Sequence, residues 1–298
     1  MTDDSHTSET TTRSQLLTFA FLLAVSIVFW WHALAATIGL ALTNEAYTHI
    51  LLILPLGIAL IYLDRDVLRR CPQGRIAVGP AVLAGAALIE CFARWGHSDA
   101  LAGGELSLSM FTLVTWWIGS IICCFGLGAF RALLFPLCFL FWMVPAPEFL
   151  LNGFVHFLQH ESAFASRVLF SAIGVPVTQD GIMLSIPNLD IEVASECSSI
   201  RSSMILVIVT MVMADLFLRS RWRKVLLVAA SIPLSVAKNG LRIVTIAELG
   251  TRVDSGYLNG NLHRHGGIVF LGIAVVTMFA LLWLLRRTEI GLKHPAPP

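Results

Sequence analysis

Charged side chains are scarce in this sequence: they make up 13% of its 298 residues, whereas hydrophobic residues make up 56%. A soluble domain carries about a quarter charged residues, so this composition excludes an ordinary soluble protein and predicts a polytopic membrane protein. The mean hydropathy of +0.78 agrees with that class. The sequence has no basic tract, so we expect no nucleic acid as a partner. The expected partner is the lipid bilayer.

Metal-binding motifs are also missing. The sequence contains neither HExxH nor CxxC, and no paired carboxylates accompany its His-x-His segment, so we expect no metal and no cofactor. There is no internal repeat. The first apolar run, 16–42, is too long for a signal-peptide core and no convincing cleavage site follows it, which favours a retained first span.

Eight stretches reach the length and apolarity of a membrane span, which needs about 20 residues. The sequence therefore predicts an all-α polytopic membrane protein with about eight transmembrane helices. The predicted spans are 16–40, 46–63, 76–93, 107–127, 131–146, 200–218, 225–245 and 266–285. The predicted organisation is a disordered cytoplasmic tail (1–15), transmembrane helices one to five (16–146), an outer-face segment (147–199), transmembrane helices six to eight (200–285) and a cytoplasmic tail (286–298).

The orientation follows from the loops. Most of the 20 lysines and arginines fall on the side that receives both termini. The positive-inside bias places that side in the cytoplasm, so both termini are predicted to be cytoplasmic.

The longest segment between spans, 147–199, is then predicted to face outward. Its first part, 149–173, has apolar residues at helical spacing among polar ones, which indicates a helix lying at the membrane interface. Its second part alternates over 182–186 and 189–193 around Pro187-Asn188, which predicts a small β-hairpin leading to Cys197.

Cys197 is the first candidate for chemistry. The topology places it in an outward loop, away from the other five cysteines, so it has no obvious disulfide partner. A lone thiol there is a candidate nucleophile. The start of a helix and the nearby Arg201 both favour the reactive thiolate. The alternative is a small residue packed at a helix start.

Arg242 is the second candidate. It lies near the outer end of the seventh span, one turn after Lys238 and so on the same face. An arginine in lipid is expected to face the bundle interior or a wet cavity, where it would fix a carboxylate or an oxyanion. The alternative is snorkelling to the interface, which suits Lys238 well because its stem is flexible.

His263 and His265 immediately precede the last predicted span and are candidates for general acid–base catalysis. Most loop histidines are simply polar helix entries. Because consecutive antiparallel helices are usually neighbours, Cys197, Arg242 and His263 are expected to converge at one depth. Thiol, imidazole and guanidinium together suit acyl transfer.

The motifs resemble the exosortase/archaeosortase family of integral-membrane cysteine transpeptidases over most of the chain from residue 133. The residues that carry the resemblance are Val144-Pro145-Ala146-Pro147, Gly174-Val175-Pro176-Val177, Glu196-Cys197-Ser198-Ser199-Ile200-Arg201, Asn239-Gly240-Leu241-Arg242-Ile243, and His263 four residues before Gly267. One position departs from the pattern, since Ser199 stands where the family usually has glycine.

The resemblance implies that Cys197, Arg242 and His263 are catalytic, with His265 a second possibility for the histidine. Glu196, Ser198, Arg201 and Asn239 would support the site or bind substrate. Whether Glu196 and Arg201 orient the thiol or only cap the helix is open.

The resemblance also implies a function. The protein would cleave a C-terminal sorting signal of the PEP-CTERM kind (a Pro-containing motif, a transmembrane helix and a basic tail) through a thioester. It would act at the periplasmic face of the bacterial inner membrane, in systems that accompany exopolysaccharide production. The alternatives are a transporter or polysaccharide-export subunit without peptidase activity, and an assembly scaffold without chemistry.

Overall fold

A computed structural model describes residues 3–66, 77–95, 104–187, 189–193, 200–254, 256 and 261–291. Side chains are described in these ranges except at 3–12, 261–266 and 290–291. The described chain is almost entirely helical with one small sheet, as expected for an all-α polytopic membrane protein. It forms two compact units, Met1–Glu148 and Phe149–Pro298.

The first unit contains six helices and the second contains four helices and three strands, counted over the described ranges. The helices are α1 (Asp3–Phe29), α2 (Trp31–Thr43), α3 (Ile50–Leu63), α4 (Val78–Trp95), α5 (Glu105–Ala132), α6 (Leu134–Phe139), α7 (Glu148–Ala172), α8 (Ile200–Phe217), α9 (Arg221–Arg252) and α10 (Asn261–Gly291). The strands are β1 (Thr178–Asp180), β2 (Met183–Ile186) and β3 (Leu189–Glu192). Short 3₁₀ turns, Glu45–Tyr47 and Leu140–Met143, precede α3 and follow α6.

Six helical segments in the described ranges are long and apolar enough to cross a membrane, and the number rises to eight if each of two bent helix pairs is one span. The six are Glu45–Leu63, Val78–Trp95, Glu105–Ala132, Ile200–Phe217, Arg221–Arg252 and Gly267–Glu289. The prediction of a polytopic membrane protein is therefore confirmed.

The first predicted span, 16–40, is broken in the structure. α1 and α2 meet at Trp30 with a bend of 70°. Trp30 is fully buried and its Nε1 donates to Thr112 Oγ1 at 3.0 Å, while Arg94 Nη2 donates to Phe29 O at 2.7 Å. The arginine contact stabilises the break because it satisfies a carbonyl at the end of α1. α1 also begins at Asp3, within the 1–15 segment for which the sequence predicts a disordered tail.

The fifth predicted span, 131–146, is shorter than expected. α6 and its 3₁₀ turn cover only Leu134–Met143, about half of a straight crossing. Val144 is extended and Pro145 and Pro147 follow, so the chain cannot continue as a helix there.

Glu90 of α4 organises the buried polar groups of the first unit. Its Oε1 accepts from Arg94 Nε at 2.8 Å and from Ser109 Oγ at 3.0 Å, and its Oε2 accepts from Thr112 Oγ1 at 2.9 Å. Both carboxylate oxygens are thus hydrogen-bonded, as a fully buried charge requires. We interpret Glu90 as a structural residue of this unit.

A kink at Gly126 divides α5. Its φ of +80° lies in a region that a residue with a side chain rarely adopts. Gln15 Nε2 donates to Cys124 O at 3.0 Å, next to this kink. The long span is therefore two helical pieces joined by one glycine.

The second unit holds the sheet, in the order β1–β2–β3 with antiparallel pairing throughout. The β2–β3 hairpin has Ile186 opposite Leu189, which confirms the predicted hairpin, and β1 is an additional strand that the sequence pattern did not predict. Leu184 and Val193 are fully buried and pack in one cluster with Ala163 of α7 and Ile243 of α9. The predicted helix at 149–173 is present as α7.

Helices α8, α9 and α10 pack against one another around an apolar core. The core contains Leu206, Met213 and Ala214 of α8, Leu227 of α9, and Ala274, Met278 and Leu282 of α10, together with Leu218. Glu289 near the end of α10 accepts hydrogen bonds from Arg219 N and Ser220 N at the α8–α9 turn. The end of α10 therefore lies beside the end of α8, and the two helices run in the same direction.

Candidate functional site

The polar cluster of α9 is buried. The exposed fractions of its residues are 5% for Lys238, 0% for Asn239 and 8% for Arg242. A charge placed in a membrane helix is costly. Lys238 Nζ donates to Ser202 Oγ on α8. The expectation that Arg242 faces the bundle interior is confirmed, and the snorkelling interpretation of Lys238 is wrong because its ammonium has a partner inside the protein.

The contact between Lys238 and Ser202 sets the relative level of the two antiparallel helices. Arg242 lies one turn further along α9, about 6 Å by the helix rise, and in the direction that leads past the start of α8. The turn of α9 that carries Arg242 therefore lies just beyond the start of α8.

Gly240 lets α7 approach α9 beside this cluster. A Cβ added there would lie 2.9 Å from Ala165 Cβ and 3.2 Å from Ser166 N. Ser166 Oγ donates to Ser162 O at 2.7 Å and also lies 3.5 Å from Gly240 O. The glycine between Asn239 and Arg242 is thus required by close packing, and α7 forms a wall of the site.

Gln159 of α7 hydrogen-bonds the backbone of Val193, which precedes Cys197 by four residues in the sequence. It is buried, and its Nε2 donates to Val193 O at 3.0 Å. The amide of Val193 in turn donates to Ile182 O at 3.0 Å. Both polar backbone groups of Val193 are therefore fixed, four residues before Cys197. Sequence reasoning missed Gln159, whose only signal was a polar residue among apolar ones on a helix.

Several predicted site residues lie outside the described residues. Glu196, Cys197 and Ser198 belong to the segment 194–199, which ends where α8 begins. Arg201 is described, in the first turn of α8 with an exposed side chain. The roles of these four residues stay predictions.

His263 lies within α10 rather than before it, because this helix begins at Asn261 and not at 266. Only its backbone is described, as for His265. The choice between His263 and His265 stays open.

The described site can stabilise negative charge. Lys238 and Arg242 bring two cationic side chains to one turn of α9, away from bulk water, where preorganised donors act most strongly on a developing oxyanion. Among the described side chains, no three histidine, cysteine or carboxylate groups come together as metal ligands would. The cysteines at 91, 123, 124 and 138 are free thiols.

Fold and site together define a multi-pass membrane protein with a buried cationic cluster on α9. A model of the transmembrane exosortase family matches residues 30–280. The chain belongs to that family. Comparisons with curated proteins and with solved structures find no match.

Proposed function

We propose that the chain is a membrane cysteine peptidase or transpeptidase that cleaves a C-terminal sorting signal of exported proteins. The observation that carries this proposal is the burial of Lys238 and Arg242 on one turn of α9, with Lys238 bonded to Ser202 of α8. Members of this family are generally enzymes of this type, and the signature around Cys197 is the one expected for them.

In the proposed reaction, the Cys197 thiolate attacks the carbonyl carbon of the scissile peptide bond. The oxyanion that forms is stabilised by the guanidinium of Arg242. When the tetrahedral intermediate collapses, the C–N bond breaks and the histidine, His263 or His265, gives a proton to the leaving amine. The product is a thioester on Cys197 and a released C-terminal fragment.

The second half of the reaction resolves the thioester. An amine or water attacks the thioester carbonyl, the C–S bond breaks, and the histidine removes the proton of the attacking group. Asn239 and the residues around the thiol, Glu196, Ser198 and Arg201, would support this site or bind the substrate. The preferred location is the periplasmic face of the bacterial inner membrane, and the substrates would be membrane-anchored proteins with a Pro-motif, a helix and a basic tail.

The alternative of a transporter predicts buried ionisable side chains along several spans. Among described residues, the buried histidine, lysine, arginine and acidic side chains are His49, Glu90, Arg223, Lys238 and Arg242. His49 Nδ1 lies 3.0 Å from the nearby carbonyl oxygen of Ala46. Glu90 has its hydrogen bonds inside the first unit, and Arg223 lies two residues into α9, at the end opposite Arg242. This distribution favours a localised site over a path.

The experiment co-expresses each enzyme variant with a tagged reporter that carries a sorting signal from the same genome, and measures tail removal on a gel. We expect wild type and Cys138→Ala, the matched cysteine control, to trim the reporter, and Cys197→Ala to leave it whole at equal abundance. Arg242→Lys should slow trimming by about 10²–10³-fold, because an ammonium does not reproduce the planar guanidinium. Equal trimming by Cys197→Ala and wild type would refute the thiol mechanism.

A further inference from the structure

The end of α8, the start of α9 and the end of α10 lie together, away from Arg242. The carboxylate of Glu289 connects these three helix ends. Glu289 accepts from Ser220 N at 2.7 Å and from Arg219 N at 3.2 Å, and its Oε1 lies 3.8 Å from Arg223 Nη1. These contacts occupy both carboxylate oxygens at the start of α9. Its charge therefore stabilises the helix N-terminus and the buried Arg223 rather than the surrounding surface.

The second carboxylate of this region, that of Asp215, also has a partner within the protein. Asp215 Oδ1 forms a 2.6 Å ion pair with Lys224 Nζ across the α8–α9 turn. The two acidic groups in the described residues 215–224 and 286–289 thus have partners within the protein. They are not available to neutralise further cations.

Four arginines remain on the surface of the same region. The exposed side chains are Arg219, Arg221, Arg286 and Arg287. Together with Arg223 and Lys224 they give six cations against two anions. We call the arginines at 219, 221, 223, 286 and 287 the basic collar. Such a charge excess attracts an anionic group of a ligand or a membrane.

Arg223 is the buried member of the collar. Its side chain is only 5% exposed, and its Nη1 lies 3.8 Å from Glu289 Oε1. It therefore adds positive charge beneath the four exposed arginines.

Aromatic rings place the collar at a membrane interface. Trp222 and Trp283 are 61% and 57% exposed, as is typical of rings at the headgroup level. Arg223 lies 5.2 Å from the Trp222 ring, Arg287 lies 5.1 Å from the Trp283 ring, and Arg286 lies 6.0 Å from the Phe217 ring. The guanidinium groups are thus held beside rings that prefer the depth of lipid phosphates.

We propose that the basic collar binds the headgroup phosphate of an anionic phospholipid. Arg286 and Arg287 on α10, and Arg219 and Arg221 at the α8–α9 turn, would surround the phosphate. The bound lipid would bridge the ends of the three helices that carry the candidate site. This binding does not depend on peptidase activity, so it stands or fails separately from the proposed function.

The test is native mass spectrometry of the full chain purified in detergent and titrated with phosphatidylglycerol or with phosphatidylcholine of the same acyl chains. We expect phosphatidylglycerol to bind at least about tenfold more tightly. Arg286→Gln/Arg287→Gln should weaken its binding by on the order of tenfold. A second variant, Arg219→Gln/Arg221→Gln, should do the same independently of any local change in α10.

The matched control is Arg131→Gln/Arg167→Gln, which removes two exposed arginines outside the collar and should bind phosphatidylglycerol as wild type does. Equal binding of both lipids, or an equal loss in the control, would overturn the proposal. Displacement of phosphatidylglycerol by millimolar inorganic phosphate would also overturn it, because the ligand would then be a free anion.

Discussion

Gly240 lies against Ala165 and Ser166 of α7, with no room for a methyl group. Its neighbours Lys238 and Arg242 on the same turn have different roles. Lys238 donates to Ser202, and Arg242 is buried one turn further along α9. Between these two cations, the glycine sets how closely α7 can pack, so the shape and the charge of the site depend on five consecutive residues.

We predict that Gly240→Ala destabilises the protein by about 1–3 kcal/mol, because the new methyl group would lie 2.9 Å from Ala165 Cβ and force α7 away from α9. The measurement is the thermal unfolding midpoint of the purified protein in detergent. Gly272→Ala on α10, where no atom lies within 4 Å of the added methyl group, is the matched control. It should be neutral or slightly stabilising. A Gly240→Ala protein as stable as the control would show that α7 does not pack here.

Individual residues of the site could be predicted to different extents. The burial of Arg242 followed from the cost of a charge in lipid. The burial of Lys238 did not, because a lysine stem of this length can equally well reach the interface, and only the position of Ser202 on the next helix decides between the two. Gln159 could not be found, because its partner is a backbone carbonyl 34 residues away.

At the scale of elements, α7 links the sheet to α9. Its buried face contains Leu158, Gln159, Ala163, Ser166 and Phe170, at helical spacing. Gln159 contacts Val193, the residue that follows β3, and Ala165 and Ser166 lie against Gly240 of α9. The helix therefore fixes the end of β3 and the Arg242 turn relative to each other.

We predict that Gln159→Leu lowers the free energy of unfolding by about 1–3 kcal/mol, because Val193 O would lose its buried donor. Hydrogen exchange of the peptide covering 189–200 should accelerate in this variant. Gln179→Leu is the matched control, since Gln179 donates to Gly181 O at an exposed turn and its loss should change exchange little. Unchanged exchange in Gln159→Leu would contradict the role assigned to this residue.

Helix and hairpin signals were strong enough to predict α7 and β2–β3, whereas breaks within apolar runs were not. The run 16–40 has neither proline nor glycine at Trp30, so the bend there depends on contacts with Thr112 and Arg94 that are distant in sequence. β1 has only three residues, too few for an alternation to be recognised.

For the whole molecule, the excess of lysine and arginine on one side predicts cytoplasmic termini and an outward sheet. We expect a cysteine introduced at Thr178 to react with a membrane-impermeant maleimide in intact cells, and one at Thr288 to react only after the inner membrane is permeabilised. Both positions are exposed. The measurement uses a background in which the six native cysteines are alanine. The reverse labelling pattern would invert the orientation and move the candidate site to the cytoplasmic face.

The family, the helical fold and the burial of Arg242 agree with one another, and they leave the covalent role of Cys197 as the central claim. The most direct measurement traps the intermediate: purified enzyme is mixed with a sorting-signal substrate, quenched in acid and analysed by peptide mass spectrometry. The account predicts a substrate adduct on the peptide containing Cys197 that hydroxylamine removes, and no adduct in Cys197→Ala. Cleavage at the wild-type rate in Cys197→Ala, or an adduct on a different cysteine, would contradict it.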